Sequence, residues 1–289
     1  MKKRTITAVL MVLIMGPLLV VGSWGFLPLA MFLIYIAGYE VLKMFEKKDP
    51  VFKYPKYIVP LYSSLTSLLW FVTNDFYVVI IMIIIGIFIA LMLSLLIKQL
   101  KIKNGLQMIF VYLYTGVMLN MAISIRFLST TPSKWFFTNG FYLIAYLLIT
   151  VLMTDTGAYF MGTFFGKHKM CPKISPNKTW EGSLFGTIFG IISGTAVYFL
   201  FSKLFGTSII PIFHHYTTGF ELTIIVLISL LLSVMGQLGD LFASVLKRRY
   251  QIKDYGTIFP GHGGVMDRFD STIFAGSTLY ILLVIVGVI

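Results

Sequence analysis

Between Gly239 and Asp270 the sequence GDLFASVLKRRYQIKDYGTIFPGHGGVMDRFD sets Asp240, Asp254, Asp267 and Asp270 among Lys247, Arg248, Arg249, Lys253, Arg268 and a run of glycines. The whole chain holds only 11 acidic residues. Ionisable groups beside hydrocarbon are costly unless they are paired, bind an ion or face water, so this stretch is the default candidate active site. Carboxylates from different segments that converge beside cations supply oxygen ligands for a hard divalent ion and leave positions open for water and phosphate oxygens. Asp240, Asp267 and Asp270 are therefore candidate magnesium ligands. In Pro260-Gly261-His262-Gly263-Gly264, residues without side chains let backbone N–H groups face an anion, helped by the positive end of the helix that follows. A pyrophosphate or triphosphate would suit that cradle, although Gly263-Gly264 alone reads more simply as a tight re-entrant turn. His262 is a donor to phosphate, a proton carrier or a hydrogen-bonding strut.

Asp240 precedes Lys247 by seven residues, which puts it roughly 10 Å below the end of its helix. Gly236, Asp240, Ser244 and Lys247 share one helix face and read as the wall of a wet cavity. The plainer reading of Asp240 is an interhelical ion pair. A second polar stretch starts at Asp155, flanked by Thr154 and Thr156 inside an apolar segment with no nearby cation, so its partner must come from elsewhere in the bundle or be a metal. Downstream, Lys167, Lys169, Lys173 and Lys178 offer positive charge, and Ser175, Asn177 and Thr179 offer neutral donors, for phosphate oxygens. Positive charge at a membrane edge explains Lys167 and Lys169 equally well. The run Gly162 to Lys167 is one residue short of a P-loop, and no Ser or Thr follows its lysine. His214 and His215 have no nearby acids and carry little information.

These groups need elements to hold them, and composition says which. With 58% hydrophobic residues, 12% charged residues and a mean hydropathy of +0.90, the chain is an integral membrane protein, expected to be a single all-α domain, a polytopic helical bundle over 1–289. Its N-terminal helices occupy 1–130, and 131–289 carry the catalytic helices and loops. Apolar windows of spanning length fall near 5–22, 26–45, 57–73, 76–97, 106–126, 138–162, 182–203, 220–246 and 270–289, predicting nine transmembrane helices. The first resembles a signal peptide, but its length and the poor cleavage site near Gly22-Ser23 favour an uncleaved helix. With the N-terminus cytoplasmic, all but Arg126, Lys134 and Lys203 of the 23 lysines and arginines lie on inner segments, as the positive-inside bias requires. The loops 163–181 and 247–269 then share the cytoplasmic face of the cell membrane, and the sequon at Asn177 lies on the wrong side for glycosylation. The net charge of +12 is spread over helix ends and forms no nucleic acid footprint. Cys171 is the single cysteine, which excludes an internal disulfide and a Cys-based zinc site.

The run from Ser244 through Leu246, Lys247, Arg248, Lys253, Asp254, Gly256, Phe259, Pro260, His262, Gly263, Gly264, Val265, Asp267, Arg268 and Phe269 to Asp270 resembles the signature of phosphatidate cytidylyltransferases, the CDP-diacylglycerol synthases. Asp155-Thr-Gly-Ala-Tyr and Ser175-Pro-Asn-Lys-Thr-Trp-Glu-Gly resemble the family's second block. The resemblance implies a transferase of phospholipid biosynthesis that joins CTP and phosphatidate into CDP-diacylglycerol and diphosphate with Mg2+, and with a monovalent cation such as K+ as a further expectation. It implies that Asp240 and Asp267 hold metal with Asp270 in support. It also implies that Lys247, Arg248, Lys253 and Arg268 handle phosphates, with Ser175, Lys178 and Thr179 bordering the cavity. A homodimer is compatible with this reading. Two other readings stand beside it: an ion-coupled transporter using Asp155 and Asp240, and a related CTP-using lipid kinase or ether-lipid synthase. The chain lacks the paired halves common in transporters.

Overall fold

The computed structural model describes residues 2–73, 76–98, 100–128, 139–205 and 218–287. Helices fall at every apolar window: α1 (Lys2–Val21), α2 (Ser23–Glu46), α3 (Pro55–Thr73), α4 (Phe76–Leu96), α5 (Ile102–Val111) running through a π-helical stretch (Tyr112–Met118) into α6 (Leu119–Ser124), α7 (Asn139–Phe165), α8 (Trp180–Phe205), α9 (Thr218–Arg249) and α10 (Met266–Ile285). Among the described residues seven of these spans are long and apolar enough to cross a membrane. In α1 the described apolar stretch is Val9–Val21. α3 falls below the others in hydropathy because it carries the buried hydroxyls Ser63, Ser64, Thr66 and Ser67. His214, His215 and Lys134 lie outside the described residues.

Cα proximity divides the chain into two compact units, Met1–Phe127 with Lys247–Phe269, and Leu128–Leu246 with Asp270–Ile289. In the first, α2 supplies the core through Leu33, Ile34, Ala37, Val41, Leu42 and Phe45, all 3% exposed or less. A buried amide there is fully engaged: Asn120 Nδ2 donates to Ser63 O, Thr66 Oγ1 and Gly116 O. Arg126, only 2% exposed, donates to the carbonyls of Leu19 and Val20 at 2.6 and 2.9 Å. It thereby caps the carbonyls that the last turn of α1 leaves without helical partners.

In the second unit α7 and α8 pack along a glycine seam. Gly182, Gly186, Gly190 and Gly194 recur at four-residue spacing on α8, and small residues at that spacing let helix backbones approach closely. A Cβ at Gly186 would meet Thr154 O and Ala158 Cβ, and one at Gly190 would collide with the hydroxyls of Thr154 and Ser233. Hydroxyls tie α9 to the same pair, with Thr154 Oγ1 donating to Ser233 Oγ at 2.9 Å and Gln237 Nε2 to Thr187 Oγ1 at 2.9 Å.

Within the 163–181 segment, expected as loop, the structure places a short antiparallel hairpin, β1 (Lys169–Cys171) and β2 (Ser175–Thr179). Its cause is local: Pro172 sits at the second position of a turn closed by Ile174 N–H to Cys171 O at 3.0 Å. Trp180 N–H to His168 O, also 3.0 Å, joins the base of the hairpin to the start of α8.

Candidate active site

In the first unit the signature folds as a loop closed on Asp267, in the first turn of α10. Gly261 and Gly263 have φ of +79° and +85°, values that side-chain-bearing residues rarely adopt. They let Phe259 N–H reach Gly263 O at 2.9 Å. Asp267 Oδ2 accepts the N–H groups of Tyr255 and Gly264 at 2.8 and 2.9 Å. Its Oδ1 faces Lys247 Nζ at 3.1 Å, with the Asp267 side chain 3% and the Lys247 side chain 16% exposed. Lys247 Nζ also lies 5.4 Å from the centroid of the Tyr255 ring. The carboxylate is thus fixed by two backbone donors and one ammonium, so its orientation is set in advance. Gly263 and Gly264 shape this loop, and a Cβ at Gly263 would press on Asp267 itself. His262 is half-buried, and its Nδ1 has no hydrogen-bond partner among the described residues. Arg248, Lys253 and Arg268 are exposed.

The carboxylate of Glu40, on α2, reaches the same loop. It is 4% exposed, and its two oxygens accept the N–H groups of Val265 and Met266 at 3.1 and 2.9 Å. Sequence reasoning missed this residue and Tyr255. The available signal for Glu40 was an acid inside an apolar span more than a turn from its end.

In the second unit Asp240 Oδ2 pairs with Lys178 Nζ at 2.6 Å, their side chains 32% and 26% exposed. Ser244, one turn along α9, lies 3.5 Å from the other Asp240 oxygen. The ion pair considered for Asp240 therefore exists, and its partner is another candidate site residue, on β2. Asp155 finds its partners across the unit as its isolation required: Ser271 Oγ donates to it at 3.3 Å, and the charges of Asp240 and Lys178 act on it. Asp270 accepts the N–H of Ser271 at 2.8 Å. Thr179 is 3% exposed, and its hydroxyl accepts Gly182 N–H at 3.1 Å as the N-cap of α8. Ser175 stands opposite Cys171 at the start of β2.

Among the described residues no three or more His, Cys, Asp or Glu side chains gather to hold a metal by themselves. Magnesium does not require such a cage, because it commonly takes one or two carboxylates and completes its shell with water and substrate phosphates. Asp155 and Asp240, two carboxylates acting on each other with Lys178 as their cation, fit that mode in donor type and charge.

The cytidylyltransferase family matches residues 2–286. The phosphatidate cytidylyltransferase of Staphylococcus haemolyticus is 33% identical over 98% of this chain and 99% of its own length. That of Staphylococcus saprophyticus is 32% identical over the same shares. The Bacillus subtilis protein of the same name is 42% identical over 59% of this chain and 55% of its own. Matched from its first helix to its last, with the loop around Asp267 folded as one closed unit, this chain belongs to the cytidylyltransferase family.

Proposed function

We propose that this protein is a phosphatidate cytidylyltransferase, converting CTP and phosphatidate to CDP-diacylglycerol and diphosphate in phospholipid biosynthesis. The observation that carries the reading is the likeness to phosphatidate cytidylyltransferases over 98% of the chain. A phosphate oxygen of phosphatidate attacks the α-phosphorus of CTP, and the bond from that phosphorus to the bridging oxygen breaks, releasing diphosphate. The attacking oxygen is already anionic, so no general base is required. The work left to the protein is in-line positioning and neutralisation of charge.

Asp240 and Asp267 would hold Mg2+, with Asp155 and Asp270 as supporting carboxylates; when bound, the ion would neutralise phosphate charge and polarise the phosphorus under attack. A monovalent cation such as K+ beside it belongs to the same reading. Asp267 and Asp270 stand three residues apart on α10, and Asp240 and Lys247 seven apart on α9, so each helix carries groups for the same chemistry. Lys178 and Lys247 orient the metal-binding carboxylates and present charge to phosphates, while Arg248, Lys253 and Arg268 offer exposed cations. Gly263 and Gly264 leave room for the carboxylates of Asp267 and Glu40, which take the N–H groups of residues 264 to 266. The Nδ1 of His262, without a hydrogen-bond partner among the described residues, is a group for a phosphate or an ordered water. Thr179 acts by capping the helix that follows Lys178. The same reading puts the reaction on the cytoplasmic face of the cell membrane, where CTP is available, and is compatible with a homodimer.

The decisive experiment supplies labelled CTP and phosphatidate to the purified protein in mixed micelles, with and without Mg2+, beside Asp267→Asn. Magnesium-dependent CDP-diacylglycerol that is lost in the variant supports the assignment. Normal turnover by Asp267→Asn overturns the role given to that carboxylate.

A further inference from the structure

We infer that Glu40 is a positioning residue for the transfer reaction, a carboxylate delivered from the second helix that holds the signature loop in the shape that orients Asp267. The inference rests on the reading of Asp267 as an active-site carboxylate.

Three observations converge. First, the first N–H groups of a helix have no partners within it and carry its positive end. At α10 two of the N–H groups at this start, those of Val265 and Met266, are taken by the two oxygens of Glu40 from 225 and 226 residues earlier in the chain. Second, the loop is gripped alternately: Glu40 holds residues 265 and 266, and Asp267 Oδ2 holds residues 255 and 264. Each carboxylate thus fixes the backbone that positions the other's donors. Third, glycines of the signature have a reason in this contact. A Cβ at Gly256 or at Gly264 would run into the Glu40 carboxylate, so those positions lack side chains because Glu40 occupies the space.

Both oxygens of Glu40 accept hydrogen bonds, so glutamine is no substitute: its NH2 group would face a backbone N–H and two donors would oppose each other. Glu40 touches the backbone of the loop and acts through it on Asp267.

The test uses the full-length protein in detergent with Glu40→Gln, Glu40→Ala, Gly264→Ala and the double variant Glu40→Ala/Gly264→Ala. Turnover with CTP and phosphatidate is measured per folded molecule, alongside hydrogen–deuterium exchange. For Glu40→Gln we expect kcat to fall roughly 10²-fold, the scale of a small misplacement of a reacting group. KM for phosphatidate is expected to stay within about threefold, with faster exchange confined to residues 255–268. Gly264→Ala should be damaging alone yet add little to Glu40→Ala, because the methyl group then has no carboxylate to meet.

The inference is overturned by kcat of Glu40→Gln within about twofold of the parent, by exchange that rises equally through α2 to α6, or by additive effects of Glu40→Ala and Gly264→Ala. Failure of the underlying reading looks different. Asp267→Asn would then turn over normally while the exchange response to Glu40→Gln persists.

Discussion

Replacing Lys178 with methionine separates two roles that a single ion pair can play. The substitution keeps the length of the side chain and removes the ammonium 2.6 Å from Asp240 Oδ2. Both partners keep about a quarter to a third of their side-chain exposure, and water-accessible pairs contribute only about 0.2–1 kcal/mol to stability. A purely structural pair would therefore cost about 1 kcal/mol, a fall in melting temperature of about 3 °C at most for a protein of this size. A cation that stabilises charge developing on a transferred phosphoryl group is a larger contribution, because removing one preorganised donor lowers kcat by about 10²–10³, or about 2.7–4 kcal/mol. The expected result for Lys178→Met is thus a nearly unchanged melting curve with at least a 10²-fold loss of kcat. Thermal unfolding in detergent and CDP-diacylglycerol formation at saturating CTP measure the two quantities on the same sample. Activity retained within about threefold, together with a melting temperature several degrees lower, would refute the reasoning and leave Lys178 as a strut.

Lys247→Met should behave differently, because it strands a carboxylate whose side chain is 3% exposed. With two backbone donors still in place, a loss of about 2–3 kcal/mol is expected, and a melting temperature no lower than that of Lys178→Met would contradict it. Chelation of divalent cations should abolish turnover and added Mg2+ restore it, with undiminished activity in excess EDTA as the contrary result. Cys171, the single cysteine, is half-buried in the hairpin. A membrane-impermeant maleimide should label it in inverted vesicles and leave it unlabelled in right-side-out ones, and the opposite pattern would reverse the topology.

The helices were legible because a bilayer demands long apolar segments, and each of the nine windows fell on a helix among the described residues. α3 fell short as a span because hydropathy averages over faces: the hydroxyls it buries lower its mean as exposed ones would. Lys247 and Asp267 lay within one short stretch, so charge density marked both as candidates, while their pairing emerged only in the structure. Glu40 was hidden by distance, since nothing local to Ala37-Gly38-Tyr39-Glu40-Val41 indicates an N–H group 225 residues away. Asp155 was visible as an isolated intramembrane acid, yet its partner Ser271 sits on another helix and carries no charge to advertise it. Thr179 shows a subtler limit. A hydroxyl among phosphate-binding candidates and a hydroxyl before an apolar run look alike in sequence, and the structure uses it as a cap. The hairpin escaped notice because strands of three and five residues are too short to show an alternating pattern.

The glycine seam of α7 and α8 acts as a ruler. Sliding one α-helix past another by a single residue shifts it about 1.5 Å and turns it about 100°. Such a step would drive Phe185 and Phe189 into the space now cleared at Gly186 and Gly190, so the seam favours one axial setting. Asp155 rides on one helix, and Lys178 stands on β2 two residues before the start of the other. Movement that accompanies substrate entry is expected to carry α7 and α8 together as one body.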